Sequence, residues 1–118
     1  MLAAENGHEV IVKLLLADGV NINSSSIQGR TPLSWAAGNG FEAIVKLLVE
    51  RSDVMADLKN SRGQTPLSWA AWRGHEAIVK LLVERSDVKA DSKDNVGQTP
   101  LLLAAKEGHE AIVKLLQR

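Results

Sequence analysis

The chain has 118 residues, about one domain's worth, and its 45% hydrophobic and 24% charged residues are typical of a globular protein, not a wholly disordered one. No apolar run approaches the roughly 20 residues of a membrane span, so we expect a soluble protein with no membrane partner. Fourteen basic and fourteen acidic side chains balance, so no bulk charge draws the molecule onto nucleic acid, and the absence of cysteine excludes disulfides, thiolate catalysis and cysteine-ligated zinc. The first residues carry no basic stretch followed by an apolar core, so no signal peptide is predicted and an intracellular, cytoplasmic location is expected.

A repeat with a period of 34 residues organises the chain. A Thr-Pro-Leu-(Ser/Leu)-(Trp/Leu)-Ala-Ala motif begins each unit, at Thr31, Thr65 and Thr99. A glycine precedes (His/Phe)-Glu-Ala-Ile-Val-Lys-Leu-Leu in the middle of each unit, at Gly40, Gly74 and Gly108. Residues 2–15 carry the same unit entered partway. We therefore divide the single domain, residues 1–118, into a partial repeat at 1–25 and repeats at 26–59, 60–93 and 94–118.

Each unit is predicted to form two short helices. Thr31 supplies a hydroxyl N-cap, Pro32 occupies the first helical position, and the helix runs to about Asn39. Gly40 then ends it, because glycine adopts the left-handed conformation without a Cβ clash. In the second helix apolar residues recur at i, i+3 and i+4, at Ile44, Leu47 and Leu48. Neither helix exceeds about ten residues, too short for stability in isolation, so the units must stabilise one another by stacking.

These motifs resemble those of the ankyrin repeat family, in which a β-turn finger precedes two antiparallel helices and a Thr-Pro-Leu-His-x-Ala-Ala motif opens the first helix. The resemblance covers essentially the whole chain. The Ser-Trp variant of the motif and the Glu-Ala-Ile-Val-Lys-Leu-Leu helix resemble arrays attached to fungal signalling ATPases, and a consensus-like design would look similar. The resemblance implies an all-α fold, an ankyrin-type α-solenoid of helix-turn-helix repeats joined by β-turn fingers, and a role in protein–protein interaction.

Three features depart from the family pattern. The family's imidazole after Thr-Pro-Leu ties neighbouring loops together and is replaced here by Ser34, Ser68 and Leu102, so we expect weaker ties. Gly19 follows the second helix of the partial first unit, but no glycine follows the second helix of the next two units. The fingers after those two helices are therefore expected to differ in conformation from the first. Both ends of the array resemble interior units without polar caps, which predicts that the chain is a fragment of a longer array. We expect this chain to be monomeric or to associate weakly end to end through its terminal repeats.

No catalytic or metal site is predicted. The histidines fall at one repeat position, at His8, His75 and His109. On stacked units they would lie about 8 to 10 Å apart, too far for shared metal ligation, and Phe41 takes the fourth such position, so we interpret it as a packing site. Ser68, His75 and Asp87 can be aligned as a triad, but the equivalent set one repeat earlier lacks the base, and isolated turn glycines form no phosphate cradle. We therefore expect no enzyme activity and no cofactor.

Tryptophans recur along the array. Trp35 and Trp69 occupy one repeat position, with a leucine in the third unit, and two interpretations stay open: packing between repeats, or the partly exposed floor of a concave groove. Trp72 takes the position held by Gly38 and Lys106 in the other units, and a position that accepts all three is expected to be exposed. Trp72 is therefore a hot-spot candidate for binding, or an incidental surface residue.

The segments 31–64 and 65–98 match at 26 of 34 positions, and the eight differences cluster. Three lie at the turn between the two helices, and five lie in the finger before the next Thr-Pro. Everything expected to stack unit on unit is the same, whereas the variable stretches line one concave edge in an ankyrin-like fold. A constant frame with variable tips is typical of a recognition surface, although neutral drift on exposed turns predicts the same positions.

This edge is basic: its cations are Arg30, Lys59, Arg62, Arg73, Lys93 and Lys106, against Glu5, Asp94 and Glu107. It therefore favours an acidic partner. The residues predicted to contact that partner are Arg30, Leu58, Lys59, Ser61, Arg62, Gln64, Trp72, Arg73, Asn95, Val96, Gln98, Lys106 and Glu107, with Trp35 and Trp69 as the alternative groove floor. The predicted function is protein–protein interaction through this finger and helix-to-helix turn surface; the alternative is a structural spacer or designed scaffold with no specific ligand. Nucleic acid is the weakest prediction, because no basic run is present and few aromatic side chains are available to stack bases.

Overall fold

The computed structural model of the protein describes residues 29–52 and 54–117, so the partial first repeat, the difference predicted for its finger, and the residues Glu5 and His8 lie outside the described residues. Six helices form over these ranges: α1 (Pro32–Asn39), α2 (Glu42–Val49), α3 (Pro66–Arg73), α4 (Glu76–Val83), α5 (Pro100–Lys106) and α6 (Glu110–Leu116). This part of the chain contains no strand, which confirms the predicted all-α architecture of two short helices per repeat. None of these helices is both long enough and apolar enough to traverse a bilayer.

Each first helix begins at the threonine predicted to cap it. The Thr31 hydroxyl accepts a 3.2 Å hydrogen bond from the backbone N–H of Ser34, and the Ser34 hydroxyl accepts a 2.9 Å bond from the N–H of Thr31. Thr65 and Ser68 form the same reciprocal cap at the start of α3. The serine that replaces the family's histidine therefore satisfies N–H groups at the start of its own helix, and these bonds all lie within one repeat.

The core lies between two layers of helices. The first helices of each repeat, α1, α3 and α5, pack side by side in one layer, and α2, α4 and α6 form the other. The large aliphatic side chains that join the layers are at most 1% exposed, at Leu33, Ile44, Leu48, Leu67, Ile78 and Leu82. Because helices of seven or eight residues are too short to be stable alone, this burial between layers and between repeats is what holds them.

Histidines join successive repeats through hydrogen bonds. His75 Nε2 donates to the carbonyl oxygen of Gly38 at 3.2 Å, and His109 Nε2 donates to that of Trp72 at 3.0 Å. Both carbonyls belong to the last turn of the preceding first helix, where carbonyl groups lack partners within the helix. The predicted packing role is therefore confirmed for His75 and His109, with a hydrogen bond that the sequence analysis did not anticipate.

Arg85 makes a further connection between repeats that the sequence analysis missed. Its guanidinium donates to the carbonyl oxygens of Val49 at 2.7 Å, Arg51 at 3.3 Å and Val54 at 3.3 Å. Both carboxylate oxygens of Asp87 accept further bonds of 2.8 Å from it. The hydrogen bond between these side chains raises the pKa of Arg85 and lowers the pKa of Asp87. Positive charge is thereby held at the end of α2, where the helix dipole favours a cation.

Positions that vary between the repeats take part in stacking, so the expectation that all stacking residues are the same is wrong. Gly38 is buried, because the ring of Trp69 in the next repeat lies 3.5 Å from where a Gly38 Cβ would stand. His75 bonds the carbonyl of Gly38, and Asn95 Nδ2 donates a 3.1 Å bond to the carbonyl oxygen of Ser61 in the preceding finger. The pattern of variation alone therefore does not separate a recognition surface from the stacking interface.

Candidate protein-interaction surface

Two β-turn fingers, residues 60–64 and 94–98, lead into α3 and α5. In the first, the Asn60 side-chain oxygen accepts hydrogen bonds from the N–H groups of Arg62 at 2.9 Å and Gln64 at 3.0 Å. Asp94 organises the second finger in the same way through its own carboxylate oxygen. The Asn-to-Asp difference between the repeats therefore leaves the turn unchanged, because both side chains supply the acceptor oxygen.

Hydrogen bonds join the two fingers into one row. The N–H of Asn95 donates a 3.0 Å bond to the carbonyl oxygen of Arg62, and its side-chain amide bonds the carbonyl of Ser61. Lys59 Nζ donates a 3.3 Å bond to the carbonyl oxygen of Lys93, one repeat further along. The finger tips are thus held in register, and side chains such as Val96, which is 79% exposed, are presented from a connected backbone.

Beside the fingers, two arginines stack on three tryptophans, and we call this group the Arg–Trp ladder (Arg30, Trp35, Trp69, Trp72 and Arg73). The guanidinium carbon of Arg30 lies 5.0 Å from the ring centroid of Trp35 and 5.3 Å from that of Trp69. The guanidinium carbon of Arg73 lies 5.5 Å from the centroid of Trp69 and 5.1 Å from that of Trp72. These distances are within the range of cation–π attraction, so each guanidinium is held against an aromatic face.

The tryptophans combine the two roles left open by the sequence. Trp69 is half-buried, packs over Gly38 of the preceding repeat and lines the cavities of the ladder. Trp72 is 36% exposed and meets Trp69 edge to face, with ring centroids 5.4 Å apart and planes at 67°. The exposure predicted for this repeat position therefore holds for Trp72 and Lys106 but fails for Gly38, because Trp69 covers it.

Cavities follow the ladder and the fingers. One of about 60 Å³ is lined by Arg30, Ser34, Trp35, Gly38, Asn39, Trp69 and Arg73. One repeat further along, a cavity of about 220 Å³ is lined by Arg62, Gln64, Ser68, Trp69, Trp72, Gln98, Leu103 and Lys106. Others between and beside the fingers are lined by Ser61, Arg62, Gln64, Asn95, Val96 and Gln98, among others. The structure thus brings together most of the predicted contact residues, whereas Leu58, Lys59 and Glu107 lie outside these cavities.

Most of the charged residues that line the cavities are cations. Arg30, Arg62, Arg73 and Lys106 each line at least one of them. Asp94 lines the cavity at the second finger, but its carboxylate oxygen already accepts two backbone N–H bonds of that turn. Because low-dielectric walls focus the field of charges in a groove, this arrangement attracts anionic groups.

The described residues offer little for catalysis by a metal. Within residues 29–52 and 54–117, no three His, Asp or Glu side chains gather where they would hold a metal ion. The imidazoles of His75 and His109 instead bond backbone carbonyls of the preceding repeat. Ser68 is buried and its hydroxyl serves the cap of α3. The side chains that line the surface include cations, aromatic rings and amides, which are suited to contacts with a partner.

Helix pairs stacked in two layers and joined by hydrogen-bonded fingers define a helical repeat solenoid. The chain belongs to the ankyrin repeat family: the family model for ankyrin repeats (3 copies) matches residues 1–94 and again residues 53–118. Ankyrin repeats are generally protein–protein interaction modules, and the family is a non-enzymatic interaction fold.

Two curated relatives are similar over half of the chain. Human Rabankyrin-5 is 36% identical over 59 residues, which is 50% of this chain and 5% of the relative. Mouse Rabankyrin-5 is 34% identical over 59 residues, with the same shares of each chain. The chain therefore matches only a small part of these much longer proteins, and the similarity concerns the repeats.

Proposed function

We propose that this ankyrin array binds an acidic partner protein through its interaction edge, formed by the fingers 60–64 and 94–98 and by the turns that end α1, α3 and α5. The observation that carries the proposal is the set of cations lining the cavities of this edge. Arg62 and Arg73 are the cations most available to a partner, since both side chains are exposed and neither forms a salt bridge with a described carboxylate.

The side-chain types at the edge support the same function. Tryptophan and arginine are the residues most enriched at interaction hot spots, because each provides a large contact area together with a directional polar group. Stacking on an indole also restricts the guanidinium of Arg73 before any partner arrives. A restricted side chain loses less conformational entropy on binding, so the ladder is suited to recognition.

The test is affinity capture with two charge-matched variants. The double variant Arg62→Glu and Arg73→Glu changes the interaction edge, and the control Lys46→Glu and Lys80→Glu makes the same charge change at exposed positions of α2 and α4 in the other layer. We expect acidic proteins to be retained by the wild type and by the control, released by added salt, and lost by the edge variant.

Two results would contradict the proposal. Equal retention of the same partner by both double variants would place the binding surface elsewhere. Retention of nothing by the folded wild type would favour a structural spacer. Circular dichroism of each variant establishes that loss of binding does not come from loss of the fold.

A further inference from the structure

Two cavities of the interaction edge occupy equivalent places in successive repeats. The smaller lies between Trp35 and Trp69, and the larger lies between Trp69 and Leu103, 34 residues further along. In the smaller one the guanidinium of Arg30 stands over both indoles, and about 60 Å³ remains. Arg30 thus occupies the space between these two indoles, and the further cavity of about 230 Å³ in this interval lies towards the first finger.

The larger cavity is open because the residue equivalent to Arg30 is Gln64. Gln64 is shorter, and its side-chain oxygen accepts a 2.9 Å hydrogen bond from the amide of Asn60 in its own finger. It therefore lines the space between Trp69 and Leu103 without filling it, and about 220 Å³ is left. We call this space the Trp69–Leu103 pocket.

The walls of the Trp69–Leu103 pocket are apolar and its edges are cationic. Trp69, Trp72 and Leu103 supply the apolar walls. Arg62 lines it from the first finger and Lys106 from the end of α5, and both side chains are exposed. No carboxylate is among the described residues that line it. An apolar group is therefore favoured inside, and an anionic group beside it, whereas a guest cation would be repelled.

The size of the pocket selects a side chain over a whole small molecule. Small-molecule sites are typically about 300 to 1,000 Å³. The Trp69–Leu103 pocket is smaller, at about 220 Å³, and opens onto the row of fingers. A single large side chain carried by a polypeptide matches both its volume and its position.

We propose that the Trp69–Leu103 pocket anchors one leucine- or phenylalanine-sized side chain of an extended acidic segment in a partner protein, whose flanking carboxylates pair with Arg62 and Lys106. This inference rests on the proposed function and deepens it by naming the anchor. It also distinguishes the second interval from the first, where Arg30 takes the space.

The test uses short synthetic peptides and the indole N–H signals of the protein in ¹H–¹⁵N NMR spectra. The probe is Gly-Glu-Glu-Phe-Glu-Glu-Gly, and its controls replace Phe with Ala or every Glu with Lys. We expect the probe to shift the signals of Trp69 and Trp72 and to leave that of Trp35 in place, because Trp35 lies outside the pocket. The Ala control should bind about tenfold or more weakly, since burial of the aromatic side chain is lost.

Two reciprocal variants test the cause of the open pocket. Gln64→Arg should place a guanidinium between Trp69 and Leu103, as Arg30 lies between Trp35 and Trp69, and should weaken binding of the Phe probe about tenfold. Ala77→Arg adds the same charge at an exposed position of α4, in the other layer and outside the interaction edge, and should not weaken binding of the probe. Arg30→Gln should open the first interval, so that the probe then also shifts the signal of Trp35. Arg30→Gln therefore tests whether the residue at this repeat position controls access to the interval, even if Gln64→Arg does not fold.

The outcomes separate this inference from the proposed function. Equal binding of the Phe and Ala peptides would overturn the anchor while leaving an acidic-partner edge intact. Binding of the Lys control as tightly as the probe, or the same indole shifts from a single-stranded oligothymidine, would overturn the acidic-segment assignment. If no peptide shifts any indole signal, the anchor is refuted, and the proposed function is then decided by the capture experiment.

Discussion

Arg85 donates a 2.7 Å hydrogen bond to the carbonyl oxygen of Val49, the last residue of α2 in the preceding repeat. A helix end leaves such carbonyls without partners inside the helix, and a cation there is favoured by the helix dipole. Stacking in this array therefore depends on polar connections at helix ends as well as on the apolar layer between them.

Replacing Arg85 with methionine should lower the free energy of unfolding by about 1 to 3 kcal/mol, because charged hydrogen bonds to the α2 end are lost while the apolar stem remains. The matched control is Lys80→Met on α4, whose ion pair with Glu76 is exposed and should contribute less than about 1 kcal/mol. Urea denaturation followed by circular dichroism measures both. Equal effects of the two substitutions would remove Arg85 from the set of stacking residues.

The same contact predicts a dependence of stability on pH. The pKa of Asp87 is lowered in the folded protein, first by its hydrogen bond with Arg85. The stabilisation is therefore fully present above the unfolded-state pKa, about 3.9, and is lost as pH falls through the folded-state value. The difference in unfolding free energy between the wild type and Asp87→Asn should shrink on acidification through this range. It should be less than about 1 kcal/mol, since the Asp87 side chain is 48% exposed. A difference that grows on acidification would contradict this sign.

Trp69→Ala should destabilise the protein by about 2 to 4 kcal/mol, because the ring covers Gly38 of the preceding repeat and contacts Trp72. Trp72→Ala should cost about 1 kcal/mol, since that ring is partly exposed. Denaturant midpoints and slopes of the two variants test the order. A cost for Trp69→Ala no larger than that for Trp72→Ala would mean that the Trp69 ring is a groove surface with little part in packing.

Gly74 and Gly108 form a matched pair for separating backbone strain from contact between repeats. Both adopt left-handed φ values, 82° and 76°, but a Cβ on Gly74 would lie 2.7 Å from His109 Cε1, whereas one on Gly108 would meet nothing within 4 Å. Gly108→Ala should cost about 1 kcal/mol from the backbone alone. Gly74→Ala should cost about 1 kcal/mol more, as the imidazole is displaced from the carbonyl of Trp72.

A double-mutant cycle checks the origin of that excess. In a His109→Ala background the costs of the two glycine substitutions should become equal, because the displaced ring is gone. An excess that persists without His109 would show that the contact does not arise from the imidazole.

Trp72 links the candidate surface to binding. Once a partner has been captured, Trp72→Ala should weaken its binding by about 2 kcal/mol, which raises the dissociation constant some thirtyfold. This is the size expected for an aromatic hot spot. The unfolding midpoint and the dissociation constant are measured on the same variant. A large fall in the midpoint with unchanged affinity would mean that this edge is not the interface, and that the repeat differences around Trp72 reflect drift.

The sequence by itself determined the repeat period, the helix starts at Thr31 and Thr65, and the left-handed glycines that end α1 and α3. These features follow from short-range chemistry, in which a hydroxyl caps its own helix and a missing Cβ permits one backbone conformation. The basic character of the edge was also readable, because cations such as Arg62 and Arg73 stand at the turns, where side chains reach solvent.

Only the tertiary structure decided which residues meet across repeats. Arg85 and Val49 are 36 residues apart, and although an arginine recurs at 51 and 85, no local pattern states which carbonyl it reaches. The burial of Gly38 and the open space beside Gln64 likewise depend on side chains brought from the next repeat. Stacking sets these contacts, because the surroundings of each position come from residues one repeat away. Equivalent positions can therefore be buried in one repeat and exposed beside an open pocket in the next.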